Sequence, residues 1–315
     1  MCGRRPELFR RPALAARRNL FSSEVEQQMK EFAQGKINLA LRVMGRRADG
    51  YHDVDMVMQS ISLADVLTFE KADHFSLCSN DPALSCGKDN LICRAASVFQ
   101  KWTGIEPNVD IRLEKKIFVA AGLAGGSTDA AAALRGLNRL YGLPLSRGEL
   151  ERAAAAIGSD VPFCIAGGTQ RARGRGEKLE VLPAAPAMWL VLMKPAALAV
   201  STAAVYRAID AVPRRGTADV ERCVAALRAG SAEALAAAMQ NDLEDVTLRQ
   251  YGILQEMKRA LLAEGCSRVL MSGSGPTLFG VAGSRSEAER IKTAMQHGYR
   301  EAQVESARTE EEYYG

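Results

Sequence analysis

Residues 117–129 read Ile-Phe-Val-Ala-Ala-Gly-Leu-Ala-Gly-Gly-Ser-Thr-Asp, and an alanine-rich run continues to Tyr141. An apolar stretch gives way to a glycine loop, and the loop opens onto helix-forming sequence. Glycine lets backbone N–H groups approach an anion with no Cβ in the way. Ser127, Thr128 and Asp129 suit the N-cap and first turn of the helix behind. Free N–H donors and the positive end of a helix dipole make such a junction a natural phosphate site. No Gly-Lys-Ser/Thr follows, so it is not a Walker A loop, and Ala124 breaks a GxGxxG reading. On local chemistry alone it is equally a flexible turn before a helix.

Working outward, Lys36–Val43 alternates, with Ile37, Leu39, Leu41 and Val43 on one face and Lys36, Asn38 and Arg42 on the other. That period predicts a half-buried strand. Val54–Leu63, Val66–Lys71, His74–Ser79 and Val109–Leu113 predict further strands, and Asn90–Trp102 has helical spacing. Ser146 and Glu149 form a capping box for a helix that ends at Gly158. Gly167–Gly176 reads as a turn region and domain boundary. Met188–Met193 predicts a buried strand ended by Pro195. Helices follow at about 202–211, 217–228, 231–240 and 243–263, then strands 268–271 and 277–281 and helix 285–296. Hairpin-like runs early in the chain favour an α+β class over a doubly wound sheet.

Four other stretches carry candidate chemistry. Gly158-Ser-Asp-Val-Pro-Phe163 takes Asp160 into an apolar stretch, where a carboxylate must pair or shift its pKa. That suits a general base, though a turn-capping Asp has the same look. Lys36 and Asn38 share the polar side of a mainly apolar strand, either as site residues or as a solvated edge. Tyr51-His52 follows the turn Arg46-Arg47-Ala-Asp-Gly50 and offers a stacking ring beside a hydrogen-bonding one. Ser272-Gly-Ser-Gly-Pro276 lies between strands and is either a backbone anion nest or a hairpin turn.

Composition bounds the rest. The chain has 315 residues, 47% hydrophobic and 25% charged, with a net charge of +4. Length is a prior for about two domains, and the composition excludes disordered, collagen-like and disulfide-miniprotein classes. A net +4 is a weak field for tracking phosphates and argues against a nucleic-acid binder. The longest apolar stretches, Ile117–Gly125 and Met188–Met193, fall short of the ~20 residues a membrane span needs. Seven cysteines without a CxxC pair read as reduced, mostly buried thiols of a cytoplasmic protein. Three histidines, none at i,i+4 spacing, argue against a metal site. Residues 1–28 carry six arginines against three glutamates and no apolar h-region, so they read as an extension outside the fold, with Met29 a second candidate start. That segment holds three of the four net charges, leaving a nearly neutral body.

Each motif alone is weak; their order is specific. Lys-Ile-Asn-Leu, Ala-Asp-Gly-Tyr-His, Ala-Gly-Leu-Ala-Gly-Gly-Ser-Thr-Asp-Ala-Ala, Gly-Ser-Asp-Val-Pro-Phe and Met-Ser-Gly-Ser-Gly-Pro, in that sequence, resemble the superfamily of galactokinase, homoserine, mevalonate and phosphomevalonate kinases, the GHMP kinases. Within it, residues 45–52 and Gly158–Pro162 look like the 4-diphosphocytidyl-2-C-methyl-D-erythritol kinase family. The likeness covers about residues 30–283.

The resemblance implies a two-domain α+β fold. Residues 29–170 would form a ribosomal-protein-S5-like ATP-binding domain, and 171–315 a C-terminal α/β sandwich domain. It implies phosphorylation of the 2-hydroxyl of a cytidine-diphosphate sugar alcohol by ATP with Mg²⁺, on the route to isoprenoid precursors. Asp160 would accept the hydroxyl proton and Lys36 would lie beside it. Phe118, Val119, Ala120, Ala121, Gly122, Leu123, Ala124, Gly125, Gly126, Ser127 and Thr128 would wrap the ATP phosphates, with Ser127 and Thr128 near phosphate oxygens or Mg²⁺. His52 would bond the cytosine edge, with Tyr51 and Tyr206 stacking on it. Asn38, Lys115 (rather than Lys116) and Thr202 would contact polar groups of the substrate. No protein metal ligand, nucleic-acid partner or membrane contact is implied, and the assembly would be a monomer or homodimer. The alternatives are another small-molecule kinase of the superfamily, of homoserine or mevalonate type, and an RNA-binding module. Two positions depart from the family pattern: Phe118 stands where proline is usual and Ala124 where glycine is. Ala124 matters if its backbone needs positive φ.

Overall fold

A computed structural model describes residues 28–212 and 217–311. The expected extension, residues 1–28, lies outside the described residues except for its last position. β1 (Met29–Arg46) and β2 (His52–Lys71) form a long antiparallel hairpin. The two strand runs predicted at 54–63 and 66–71 are one strand. β3 (Ser76–Ser79), α1 (Leu91–Thr103), β4 (Val109–Glu114), α2 (Gly125–Leu140), α3 (Arg147–Ala155), α4 (Val161–Ala166), β5 (Thr169–Gly174) and β6 (Lys178–Val181) complete the first half. The second half runs β7 (Trp189–Pro195), α5 (Thr202–Ile209), α6 (Val220–Ala229), α7 (Ala232–Ala238), β8 (Gln240–Asn241), α8 (Glu244–Gln250), α9 (Gly252–Ala263), β9 (Arg268–Met271), β10 (Leu278–Ala282), α10 (Arg285–Gly298) and β11 (Ala302–Arg308).

The first sheet runs β3-β4-β2-β1-β8, with β5 paired to β2 and β6 to β5. The second is antiparallel, β11-β7-β10-β9. β7 is buried on both faces, as its unbroken apolar run requires. Leu190 and Leu192 join Leu270 and Phe279 in a core shared with Ile37, Leu39 and Ile61 of the first sheet. Each such fully buried side chain contributes ~1.5–3 kcal/mol. Val191 and Met193 face the other core, with α9 and α10 behind them. No helix among the described residues is long and apolar enough to cross a membrane.

Local signals set the helix starts. Asn90 caps α1, and Ser146 with Glu149 closes the capping box of α3. Three expectations need correction. The alternation of Lys36–Val43 does not keep one face. Register shifts at Gln34/Lys36 and Asn38/Ala40 send Ile37 and Leu39 into one core and Leu41 and Val43 into the other. Gly167–Gly176 is not a turn but mostly β5, paired with β2 over 54–59. Its strand character was hidden by Arg171 and Arg173, whose charges are met by Asp55, Glu221 and Glu180. A boundary at 170/171 therefore cuts a strand, and the chain leaves the first sheet only after Val181. β8 then returns to pair with β1 at Ala40–Leu41, stitching the halves together.

Candidate functional site

A cavity of about 1350 Å³ opens between the halves. Single small ligands usually occupy ~300–1,000 Å³, so this one has room for two. It is lined by β1 and β2, the glycine loop, the start of α4, the β5–β6 turn, α5 and Gly273–Gly275.

The glycine loop is held by its backbone. Lys36 N–H donates to Leu123 O (3.0 Å), Thr277 N–H to Ala121 O (3.3 Å) and Ser272 Oγ to Gly122 O (2.9 Å). Gly122 has φ +76°, and a Cβ there would run into Ser272 O. The Ser-Gly-Ser-Gly-Pro stretch is thus the clamp of the loop, and Asn241 Nδ2 fastens it by donating to Met271 O and Gly273 O. Ala120 and Ala124 sit at φ 51° and 59°, so the alanine at 124 occupies the conformation its glycine would favour. Ala124 is also the N-cap of α2 and supplies no side-chain cap. Gly125, Gly126 and Ser127 line the cavity, and their first-turn N–H groups have no acceptor within the helix and no side-chain cap.

Phe118, Val119, Ala120, Ala121, Gly122, Ala124, Gly125, Gly126 and Ser127 all line the cavity. Leu123 and Thr128 do not. Leu123 is fully buried in the core, and Thr128 spends its hydroxyl on Gln34 O (2.8 Å). The Leu123 side chain points into the core from the loop and Thr128 turns inward from the first turn of α2, while Ser127 stays at the cavity.

Lys115 lines the cavity and Lys116 pairs with Glu114 outside it. The Lys115 ammonium lies between two buried carboxylates, Asp65 (2.5 Å) and Asp129 (2.8 Å). Its Nζ is 3.3 Å from where a Cβ on Gly125 would be. Lys115 thus sits at the foot of the glycine loop. Asp65 also accepts the N–H groups of Lys116 and Ile117. Burial raises Asp129 to about 8, with Asp65 adding and Lys115 opposing, while the two carboxylates outweigh burial and hold Lys115 up. Asp129 Oδ1 has no hydrogen-bond partner among the described residues.

Asp160 stands at the N-cap of α4, yet its side chain makes no capping bond. The turn-capping reading is therefore not what the carboxylate does. It faces the cavity with Lys36 and Asn38. Lys36 Nζ donates to Asn38 Oδ1 (2.8 Å), and Asn38 Nδ2 to Met56 Sδ (3.3 Å), so Asn38 orients the lysine. The fully buried Cys164 thiol is pushed up by burial, then by the Asp160 charge, with Lys36 opposing, which puts both charges near one point.

His52 Nε2 lies 2.9 Å from Asp210 Oδ1, and its ring tilts against Tyr206 at 5.1 Å. Burial, with the Asp160 charge adding, pushes the Tyr206 phenol up. Tyr51 is exposed at the mouth with the Arg175 guanidinium 4.9 Å from its ring centre. Thr202 Oγ1 shares a hydrogen bond with Ser274 Oγ (2.9 Å). Sequence reasoning missed Asp210, Arg175 and Asp129 as a buried acid. Gly174-Arg-Gly-Glu177 was a legible turn signal for Arg175; nothing local marked Asp210.

Residues 90–168 match the family described as GHMP kinases N terminal domain, and 223–301 the GHMP kinases C terminal family. A 4-diphosphocytidyl-2-C-methyl-D-erythritol kinase of Moorella thermoacetica is 50% identical over 276 residues, covering 86% of this chain and 96% of the relative. One from Bacillus pumilus is 45% identical over 267 residues, 84% of this chain and 92% of the relative. A crystal structure of 4-(cytidine 5'-diphospho)-2C-methyl-D-erythritol kinase matches with TM-score 0.77 and 35% identity, over 89% of this chain and 99% of that one. A homoserine kinase from Cytophaga hutchinsonii, TM-score 0.72 at 19% identity over 93% of this chain and 98% of that one, shares the fold.

Proposed function

The chain belongs to the 4-diphosphocytidyl-2-C-methyl-D-erythritol kinase family of GHMP kinases, and we propose that it transfers the γ-phosphoryl group of ATP to the 2-hydroxyl of that cytidine-diphosphate sugar alcohol. The observation that carries the reading is an uncapped Asp160 carboxylate sharing one cavity with a glycine loop and the His52–Tyr206 pair. The reaction places the enzyme in isoprenoid precursor synthesis, and a cytoplasmic setting goes with it.

Contacts order the cavity. The loop touches Ser272–Gly275, Gly273 approaches Lys36 and Asn38, Asn38 touches Met56, and Met56 touches Gly176 next to Asp160. ATP phosphates fit at the α2 N-terminus, where the N–H donors of Gly125, Gly126 and Ser127 receive negative charge. The Lys115 ammonium lies just beneath. The acceptor hydroxyl fits beside Asp160, which takes its proton as the oxygen attacks. Lys36, held by Asn38, stabilises the negative charge that develops. His52, with Nε2–H donated to Asp210, keeps an Nδ1 lone pair for the cytosine amino group, and Tyr206 and Tyr51 supply stacking faces. Most of the acceleration then comes from positioning and charge neutralisation.

Mg²⁺ fits with few protein ligands. No group of three or more His, Cys, Asp or Glu side chains suited to a metal occurs among the described residues. The Ser127 hydroxyl, which lines the cavity by the loop, is the side-chain oxygen that would assist, with phosphates and water holding most of the ion. Bound there, Mg²⁺ would offset phosphate charge.

ADP formation from ATP, measured across a panel of alcohols, tests the reading. The cytidine-diphosphate alcohol should be turned over with the highest kcat/KM. Preferential turnover of homoserine or mevalonate would overturn it.

A further inference from the structure

Arg175 lines the cavity together with Asp160, Tyr51, His52 and Tyr206, and it is carried on the tip of the β5–β6 hairpin, Gly174-Arg175-Gly176-Glu177. The tip is tightly built. Gly174 and Gly176 have φ of 73° and 112°, a conformation that only glycine adopts easily. The Glu177 carboxylate accepts the Arg175 N–H (2.6 Å) and fills the space beside Gly174. A Cβ on Gly176 would lie 3.0 Å from Met56 Cε and 4.0 Å from Asp160 Oδ1. The backbone of the tip is therefore anchored against the floor that carries Asp160.

From this anchored point the Arg175 side chain reaches over the Tyr51 ring. Among the described residues its guanidinium has no hydrogen-bond or ion-pair partner. Asp49 feels its charge, but that carboxylate is engaged by Arg47 and by the Tyr51 N–H. Five N–H donors are thus oriented by a ring face and a rigid turn, and lie unspent at the cavity. Arg46 and Arg207 line the same cavity.

On the reading given under Proposed function, the acceptor has its hydroxyl at Asp160 and its cytosine at His52 and Tyr206. A diphosphate joins these ends. Arg175 bridges the same two places, since its neighbour Gly176 approaches Asp160 and its own guanidinium covers Tyr51. We propose that Arg175 is the residue that binds the diphosphate bridge of the acceptor, selecting a nucleoside diphosphate over the bare nucleoside. A guanidinium fork matches phosphate oxygens two at a time. Its stacking also closes one face of Tyr51, leaving the other for the base.

Calorimetric titration of the full chain with cytidine and with CDP, for wild type, Arg175→Gln and Arg175→Lys, tests this. Wild type should bind CDP about 10–100-fold more tightly than cytidine, the range expected for charge-assisted hydrogen bonds. Arg175→Gln should lose most of that ratio, and its acceptor KM should rise far more than its kcat falls. Arg175→Lys should fall between, because it keeps the charge without the fork. A CDP-to-cytidine ratio unchanged in Arg175→Gln would overturn the proposal. Wild type binding neither ligand would instead overturn the cytidine reading, and this proposal with it.

Discussion

The two ends of the cavity are made of different materials. The glycine loop is a backbone device: its donors are N–H groups, its shape is set by Gly122 against Ser272, and its cation is buried beneath it. The His52 end is a side-chain device, assembled from Tyr51, His52, Arg175, Tyr206 and Asp210 on three separate segments. A backbone site recognises what every phosphate donor shares. A side-chain site recognises what distinguishes one acceptor from another. Asp160, Lys36 and Asn38 lie where the two meet.

Substitutions should divide along this line. At the junction, Asp160→Asn removes the proposed proton acceptor and should lower kcat by ~10²–10⁴-fold while ATP binding survives, as single-turnover and titration measurements would show. At the side-chain end, His52→Ala should raise the acceptor KM by about 10–100-fold, the scale of a lost buried polar contact, with ATP KM unmoved in steady-state kinetics. An equal rise in both KM values would erase the division. At the backbone end, Gly122→Ala forces a methyl onto Ser272 O and should cost ~1–3 kcal/mol in denaturant unfolding, with ATP affinity falling before CDP affinity.

Beneath the loop, Asp129 sharpens the comparison through pH. Burial raises it to about 8, so the native state holds a proton that the unfolded chain releases near ~4. Its stabilising contribution is present at low pH and is lost as pH rises through about 8. Melting temperatures across that window should fall less steeply in Asp129→Asn than in wild type. The smallest effect is expected from Ala124→Gly. Relieving an alanine at φ 59° should add ~1 kcal/mol of stability, or about 2 °C in a melting scan, without weakening ATP binding.

The same contrast explains what could be read from the sequence. The loop announces itself because its function depends on residues adjacent in the chain: glycines, then a helix start. The capping box of α3 and the apolar run of β7 were legible for the same local reason. The inward turn of the Leu123 and Thr128 side chains could not be read, because a motif names a stretch, whereas helix and loop geometry decides which of its side chains face the cavity. The ion pairs of Lys115 could not be read, because its partners, Asp65 and Asp129, lie well away from it in the chain. Asp210 carried no local mark at all. The strand β5 was obscured by arginines whose charges are met only across the fold. The face change within β1 follows from bulges that an alternating pattern does not reveal.

The central claim is that one cavity holds a phosphate donor and a cytidine-diphosphate acceptor at separate ends. Titrating Asp160→Asn with CDP, in the presence of a saturating non-hydrolysable ATP analogue, tests it directly. One CDP should bind per chain, with affinity no weaker than in the absence of the analogue. Mutually exclusive binding of the two nucleotides would contradict the account.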